Sequence, residues 1–474
     1  MIPHVDLSSQ SQAYWPARNT ANLTALHTEL IVHISTYLDV PDIASLRLTC
    51  RTMERKATPS TFTALFKQKN IQLSTQALQR LVQVTSQGSL GCLLEDCSIT
   101  GIAQLPQASL PQTDQTTELV QLLTTAFRNL KQNSPNGQLT SIRLLVVARE
   151  QDATGNVVEP VVFRSWGAVW AAASHTFKVV MTALSNSGLY VECLDIFNSI
   201  NGCSLVIDDF MSDFKTKHLW PLLRTLSVSL SAKPIVDKWL IDEDMEHQHQ
   251  PDGPKEIWTA DQALRAIANT ISHMPFLQSL NVHWYIIGKP ETPSTDVSSN
   301  LFNDTTMQSF KWTGIQECSL HGIQATPTHL LQFLQTFRPQ TLTLTDVSLV
   351  GGTYSPIFEY LSSAESSVTS YHLDDLDETR HLVHFNHVKG TPKFRYRAGE
   401  FGPSTLSQCG PSLKEPISYQ VAHSSVLGSG ERARWLKSKA ERYGRRPGYA
   451  RYNFISLNST ESVVSTAVDQ ERGT

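Results

Sequence analysis

From residue 118 onward, stretches with apolar residues at helical spacing alternate with short stretches in which every second residue is apolar. The spacing predicts a helix over Glu118–Gln132 followed by a strand over Thr140–Val147, then a helix over Trp166–Ser185 and strands over Tyr190–Phe197 and Ser204–Ile207. The run LRTLSVSL over Leu223–Leu230 predicts a further strand, and the helix Thr259–Met274 leads to the strand LQSLNVHW over Leu277–Trp284. Two shorter units follow, a helix over Thr328–Phe337 with a strand over Thr341–Thr345, and a helix over Pro356–Ser362 with a strand over Thr369–Leu373. The intervals leave room for strand–helix–strand crossovers, so a parallel sheet with helical connections is expected. A doubly wound α/β domain would produce the same alternation.

Ahead of this region, three short helices are expected between Leu23 and Phe66. Thr28 is placed to cap a helix opening at Glu29, whose carboxylate suits the positive end. Leu30, Ile31, Ile34 and Leu38 share its apolar stripe. Asp39 is the expected cap of a second helix, with Pro41 in its first turn and Ile43, Leu46 and Cys50 as its apolar positions. A third helix, from Arg51 to about Thr58, stops before Pro59, because proline disfavours helical geometry in the residue preceding it. Leu26 and Leu48 lie off the main stripes and are expected to face a partner. Ser74 is the expected cap of a further helix with Leu78, Leu81 and Val82 on one side.

The order L-x-x-E-L-x-x-x-I-x-x-Y-L-D-x-x-D-I-x-x-L-R-L-T-C-R, from Leu26 to Arg51, resembles the F-box motif, with His27 where that family usually carries proline. The strand leucines Leu320, Leu344 and Leu373 lie about 24 and 29 residues apart, which resembles the degenerate leucine-rich repeats that follow the F-box in fungal-type F-box proteins. The resemblance implies a three-helix F-box followed by an irregular, leucine-rich-repeat-like β/α solenoid with parallel strands. It implies docking to a Skp-family adaptor, and through it a cullin ubiquitin ligase, by Leu26, Glu29, Leu30, Ile34, Leu38, Pro41, Ile43, Leu46, Leu48 and Cys50. A protein substrate would then meet the polar strand positions, for which Arg143, Asn281, His283, Thr343 and His372 are the candidates. The domain plan that follows is a disordered start over 1–21, helices over 22–66, a helical linker over 67–117, the substrate-binding region over 118–400 and a polar, basic tail over 401–474. A scaffold that holds the adaptor without the ligase is the alternative.

Composition narrows the picture. The chain has 474 residues, 40% hydrophobic and 17% charged, with 39 Lys and Arg against 43 Asp and Glu. That balance describes a globular protein without a global field toward nucleic acid or anionic membranes. Seven cysteines at 50, 92, 97, 193, 203, 318 and 409 lack paired spacing, as in a reducing compartment, so a cytoplasmic or nuclear location is expected. No secretory signal or membrane span is expected. Cys92 and Cys97 flank CLLEDC, a possible strand, and read as two small buried hydrophobes.

Candidate chemistry is sparse. No phosphate-binding loop, nucleophile elbow, H-E-x-x-H or C-x-x-C is present. The reading is therefore a non-catalytic protein with no cofactor and no metal. His247 and His249 lie in the polar insertion 242–255, and a second insertion covers 288–303. In HLVHFNH, His381, His384 and His387 suit either a helix face or a strand. Eight Lys or Arg between Arg432 and Arg451, among Trp435, Tyr443 and Tyr449, could bind nucleic acid. The preferred reading packs Trp435, Leu436 and Tyr443 onto the last repeat.

Overall fold

The structure is a computed structural model. It describes residues 23–58, 61–88, 90–105, 113–151, 157–158, 166–200, 202–214, 220, 222–231, 260–285, 314–378, 381–396, 399–422, 431 and 434–435. The insertions 242–255 and 288–303, and the basic segment beyond Trp435, lie outside the described residues. The chain divides into two compact units, 1–67 and 68–474.

Among the described residues the first unit holds a 3-10 turn over Leu23–Ala25 and four α-helices: α1 (Thr28–Ser35), α2 (Val40–Thr49), α3 (Arg51–Ala57) and α4 (Thr61–Lys67). Asp39 caps α2 as its sequence predicts, accepting the Asp42 amide at 2.9 Å, with Pro41 in the first turn. Thr28 is no cap: it lies inside α1, whose N-cap is His27 without a side-chain hydrogen bond. The helix also ends at Ser35, short of Leu38, because Thr36 and Tyr37 turn their amides back to His33 and Ile34. Ile31, Met53 and Ala57 form the small core, with Leu26 and Leu46 packed against it. Lys56 ties the entry to the bundle by donating to the carbonyls of Thr24, at 2.8 Å, and Leu26.

The second unit is α/β with a mostly parallel central sheet. Its strands in chain order are β1 (Gln68–Gln72), β2 (Asp96–Leu105), β3 (Gln138–Gln151), β4 (Val157–Val158), β5 (Tyr190–Ile196), β6 (Leu205–Val206), β7 (Thr225–Ser231), β8 (Ser279–Tyr285) and β9 (Glu317–His321). They continue as β10 (Gln324–Ala325), β11 (Thr341–Thr345), β12 (Ser348–Leu349), β13 (Ser370–Asp374), β14 (Asp377–Glu378), β15 (His381–Phe385), β16 (Thr405–Cys409) and β17 (Tyr419–Ala422). The large sheet runs β1-β2-β3-β5-β7-β8-β9-β11-β13-β16, parallel until β16 joins antiparallel. Strand order thus follows the sequence without reversal, and among the described residues there is no switch point of the doubly wound kind.

The helices α5 (Thr75–Ser86), α6 (Thr113–Asn133), α7 (Trp166–Ser187), α8 (Ile207–Phe214), α9 (Ala260–Ile271), α10 (Pro327–Phe337) and α11 (Ser355–Ser362) pack each against the next in the same order. Ser74 caps α5, accepting the Ala77 amide at 3.4 Å. Along β9, β11 and β13 burial alternates strictly, because one face supplies the core. Leu194, Leu226, Leu280, Cys318, Leu342 and Tyr371 are buried, whereas the residues one step on, from Asp195 through Ser227 to His372, are half-buried.

Three successive units share one local device. Directly after β9, β11 and β13, Gly322, Asp346 and Asp375 take left-handed backbone at φ 71°, 53° and 50°. This turn lets β10, β12 and β14 pair in the smaller sheet β10-β12-β14-β15-β17. Asp346 and Asp375 are buried, and Asp375 accepts the Ser404 hydroxyl at 2.8 Å.

Several expectations need correction. The segment 67–117 is more than a helical linker, since it supplies β1 and β2 to the sheet. CLLEDC is a 3-10 turn over Leu90–Leu93 followed by the start of β2, with Cys92 and Cys97 both buried. The residues after Phe401 are no simple tail: β16 pairs with β13, and β17 pairs with β15. Their antiparallel pairing closes the apolar end of the parallel rows.

Candidate functional site

Two surfaces gather the candidate residues, one in each unit. On α1 the apolar stripe splits. Ile31 and Ser35 turn inward, while Leu30 and Ile34, the neighbouring i, i+4 row, remain 52% and 37% exposed. Tyr37, 78% exposed, extends that row, its ring meeting His33 edge-on with centroids 5.3 Å apart. Leu48 of α2 is 87% exposed. Glu29 is exposed beside His27, 3.6 Å away, and Pro41 and Cys50 are exposed as well.

The remaining adaptor-facing candidates are placed otherwise. Ile43 is buried, and Leu26 and Leu46 are half-buried against Ile31, Met53 and Ala57, so these three serve the interior of the unit. Leu38 is half-buried. A helix of this length has room for one inward row, and Ile31 occupies it.

The second surface is the polar face of the large sheet. Register carries a continuous row from Arg143 through Asp195, Ser227, Asn281, Ser319 and Thr343 to His372. Four of the five substrate-facing candidates therefore stand in one line across the strands. The fifth, His283, lies one row further along, in register with His321 and, beyond it, Thr345. Arg143 pairs with Asp195 at 3.6 Å. Burial raises the Asp195 carboxyl above its ordinary value, and the Asn198 amide, which donates at 2.9 Å, opposes that rise together with Arg143. The Asn281 side-chain oxygen is buried and finds no hydrogen-bond partner among the described residues.

Ser319, His321 and Asp195 belong to this face although they were not among the candidates. Their signal is visible in the period of two: ECSLH sets Ser319 and His321 opposite the buried Cys318 and Leu320. Burial, with His372 nearby, holds His321 below the usual imidazole value.

The chain matches no known family model and no curated protein.

Other sequence candidates do not converge. Among the described residues no group of three or more His, Cys, Asp or Glu is arranged to hold a metal ion, and no helix is long and apolar enough to cross a membrane. His384 is enclosed in β15; its Nδ1 lies 2.7 Å from the Gly402 carbonyl oxygen, which can only accept, and its Nε2 lies 2.6 Å from the Tyr396 hydroxyl. Nδ1 therefore carries a proton and donates to that carbonyl, and burial holds the ring below the usual imidazole value. His381 lies 3.2 Å from the Glu378 carbonyl oxygen, and His387 occupies left-handed backbone. Trp435 packs with Leu382 and Phe394, and Arg434 donates to the Lys393 carbonyl at 3.1 Å. Trp435 is thus engaged in packing, while Leu436 and Tyr443 lie outside the described residues.

Proposed function

We propose that the chain is a substrate-recognition adaptor of an SCF-type ubiquitin ligase, built from a Skp adaptor, a cullin and an F-box protein. In this reading the first unit is the F-box, and the second is a leucine-rich-repeat-like solenoid that presents its polar face to a protein substrate. The observation that carries it is the exposure of the apolar side chains Leu30, Ile34, Tyr37 and Leu48 on a helical unit whose small core is built from Ile31, Met53 and Ala57, with Ile43 and Phe62 also buried. Full burial of one such side chain contributes roughly 1.5–3 kcal/mol, so a partner covering the four gains enough to dock. The repeat reading draws support from the sequential strand order and from the left-handed turn recurring at Gly322, Asp346 and Asp375.

The chain supplies no chemistry of its own in this role. It holds a substrate lysine near a charged ubiquitin carrier, which turns a bimolecular encounter into an effectively intramolecular one. The test is affinity capture with the intact chain beside Leu30→Asp/Ile34→Asp. Recovery of a Skp-type adaptor together with a cullin, lost in the double variant, is the expected result. Adaptor without cullin favours a non-ligase scaffold, and neither protein sinks the reading.

A further inference from the structure

The row from Arg143 to His372 is closed at both ends by side-chain pairs and unpaired between them. At one end Arg143 pairs with Asp195 at 3.6 Å, and at the other the His372 Nδ1 lies 2.8 Å from the Ser407 hydroxyl. Between these pairs the register sets Ser227 of β7, Asn281 of β8, Ser319 of β9 and Thr343 of β11 side by side. All four are half-buried, and none has a side-chain hydrogen bond among the described residues. The Asn281 oxygen is itself buried, so a donor that reaches this amide recovers a cost the fold already carries.

The four strands carry almost no charge. Neither TLSVSLS of β7, SLNVHWY of β8, ECSLH of β9 nor TLTLT of β11 contains Lys or Arg, and their one carboxylate, Glu317, lies a row away, where it accepts the Ser279 hydroxyl at 3.2 Å. The row on the other side holds Ser229, His283, His321 and Thr345, again without Lys, Arg, Asp or Glu. Three steps between strands at about 4.8 Å span about 14 Å, the length of about four extended residues. Over that length the face offers three hydroxyls and an amide, each able to donate and to accept. They suit peptide groups and the side chains of Ser, Thr, Asn and Gln. A charged side chain laid there would lose water and meet no counter-charge.

We propose that Ser227, Asn281, Ser319 and Thr343 read a short, extended, uncharged polar segment of a protein, and that a charge within that segment prevents binding. The inference rests on the reading of this face as the substrate surface, and it adds the chemical class of what is recognised. A phosphoryl group brings close to two negative charges, so the face takes the unmodified form of such a segment and rejects the phosphorylated one.

The experiment is fluorescence polarisation of the full chain against short synthetic peptides whose four central positions take every combination of Ser, Thr, Asn and Gln, with neutral oligosaccharides run alongside. Adaptor capture is measured on the same preparations. Saturable binding to a subset of the peptides is expected, and Glu, Lys or phosphoserine at one central position should weaken it by roughly tenfold or more. Ser319→Ala/Thr343→Val should lose a similar factor while keeping the thermal midpoint and adaptor capture. Thr343→Lys should reverse the preference and bind Glu-bearing peptides better than neutral ones, which a purely structural role for Thr343 would not produce. No peptide bound, charged peptides held as tightly as neutral ones, or oligosaccharides bound in place of peptides overturns the proposal, and leaves the ligase reading standing where adaptor and cullin are still captured. Selective binding of neutral peptides by a chain that captures no adaptor does the reverse.

Discussion

The Arg47 guanidinium lies 3.8 Å from the centre of the Phe62 ring, so that α2 and α4 are joined by a cation over an aromatic face. The same side chain donates from Nε to the Thr58 hydroxyl at 3.1 Å and stands 3.7 Å from the Glu54 carboxylate. One residue thereby links three helices of a unit with a small core. Arg47→Ala should lower the stability of this unit by about 1–2 kcal/mol, seen as faster amide exchange over Thr61–Lys67. Arg47→Lys should recover less than half, because an ammonium lacks the flat face that stacks. Equal protection in both variants would show the stack to be idle.

Leu30 and Ile31 are adjacent but predict opposite phenotypes. Leu30→Asp/Ile34→Asp alters exposed positions, so thermal unfolding should shift little while adaptor capture disappears. Ile31→Ala opens the core and should cost about 2–4 kcal/mol of stability in the first unit. Comparing melting with capture for both variants separates surface from interior.

Gly101 of β2 is a contact between strand and helix. A Cβ built there would come within 2.0 Å of the Thr176 hydroxyl and 3.5 Å of the Ala172 carbonyl on α7. Gly101→Val should therefore push α7 from the sheet and destabilise the second unit by more than about 2 kcal/mol. Pairing it with Thr176→Ala should restore part of the loss, measured by denaturant titration. A neutral single variant would mean that helix and strand are less closely seated.

Burial holds His175, His321 and His384 below the ordinary imidazole value; Lys178 adds to this for His175, and the Gly402 carbonyl and Asp375 oppose it for His384. Between those lowered values and about 6.5, the unfolded chain binds more protons than the folded one. The stabilisation is fully present above that window and is lost as pH falls through it. Denaturant midpoints should drop from about pH 7 to about pH 5, with a shallower slope in His384→Gln. An unchanged slope would place the acid sensitivity on other groups.

Several elements are legible from the chain because their signals are local. TLTLT forms a strand over Thr341–Thr345, with Leu342 and Leu344 buried and Thr343 half-buried, and Asp39 caps α2 from its place before Pro41. The strands β10, β12 and β14 have two residues each, too few to display a period, and they exist only because the left-handed turns bring them side by side. α4 escaped notice because Phe62 is sealed by Arg47, a residue fifteen positions away.

The sequence by itself determined which strand positions are apolar and which polar, since alternation at period two sorts side chains to opposite faces whatever the neighbours are. It could not decide which polar positions meet. Arg143, Asn281 and His372 lie far apart along the chain, and only the register of parallel strands sets them in one row. Nor could it decide which leucines of α1 face outward, because a helical stripe is wider than the surface one small core can cover, and Ile31 takes that place while Leu30 is left in solvent.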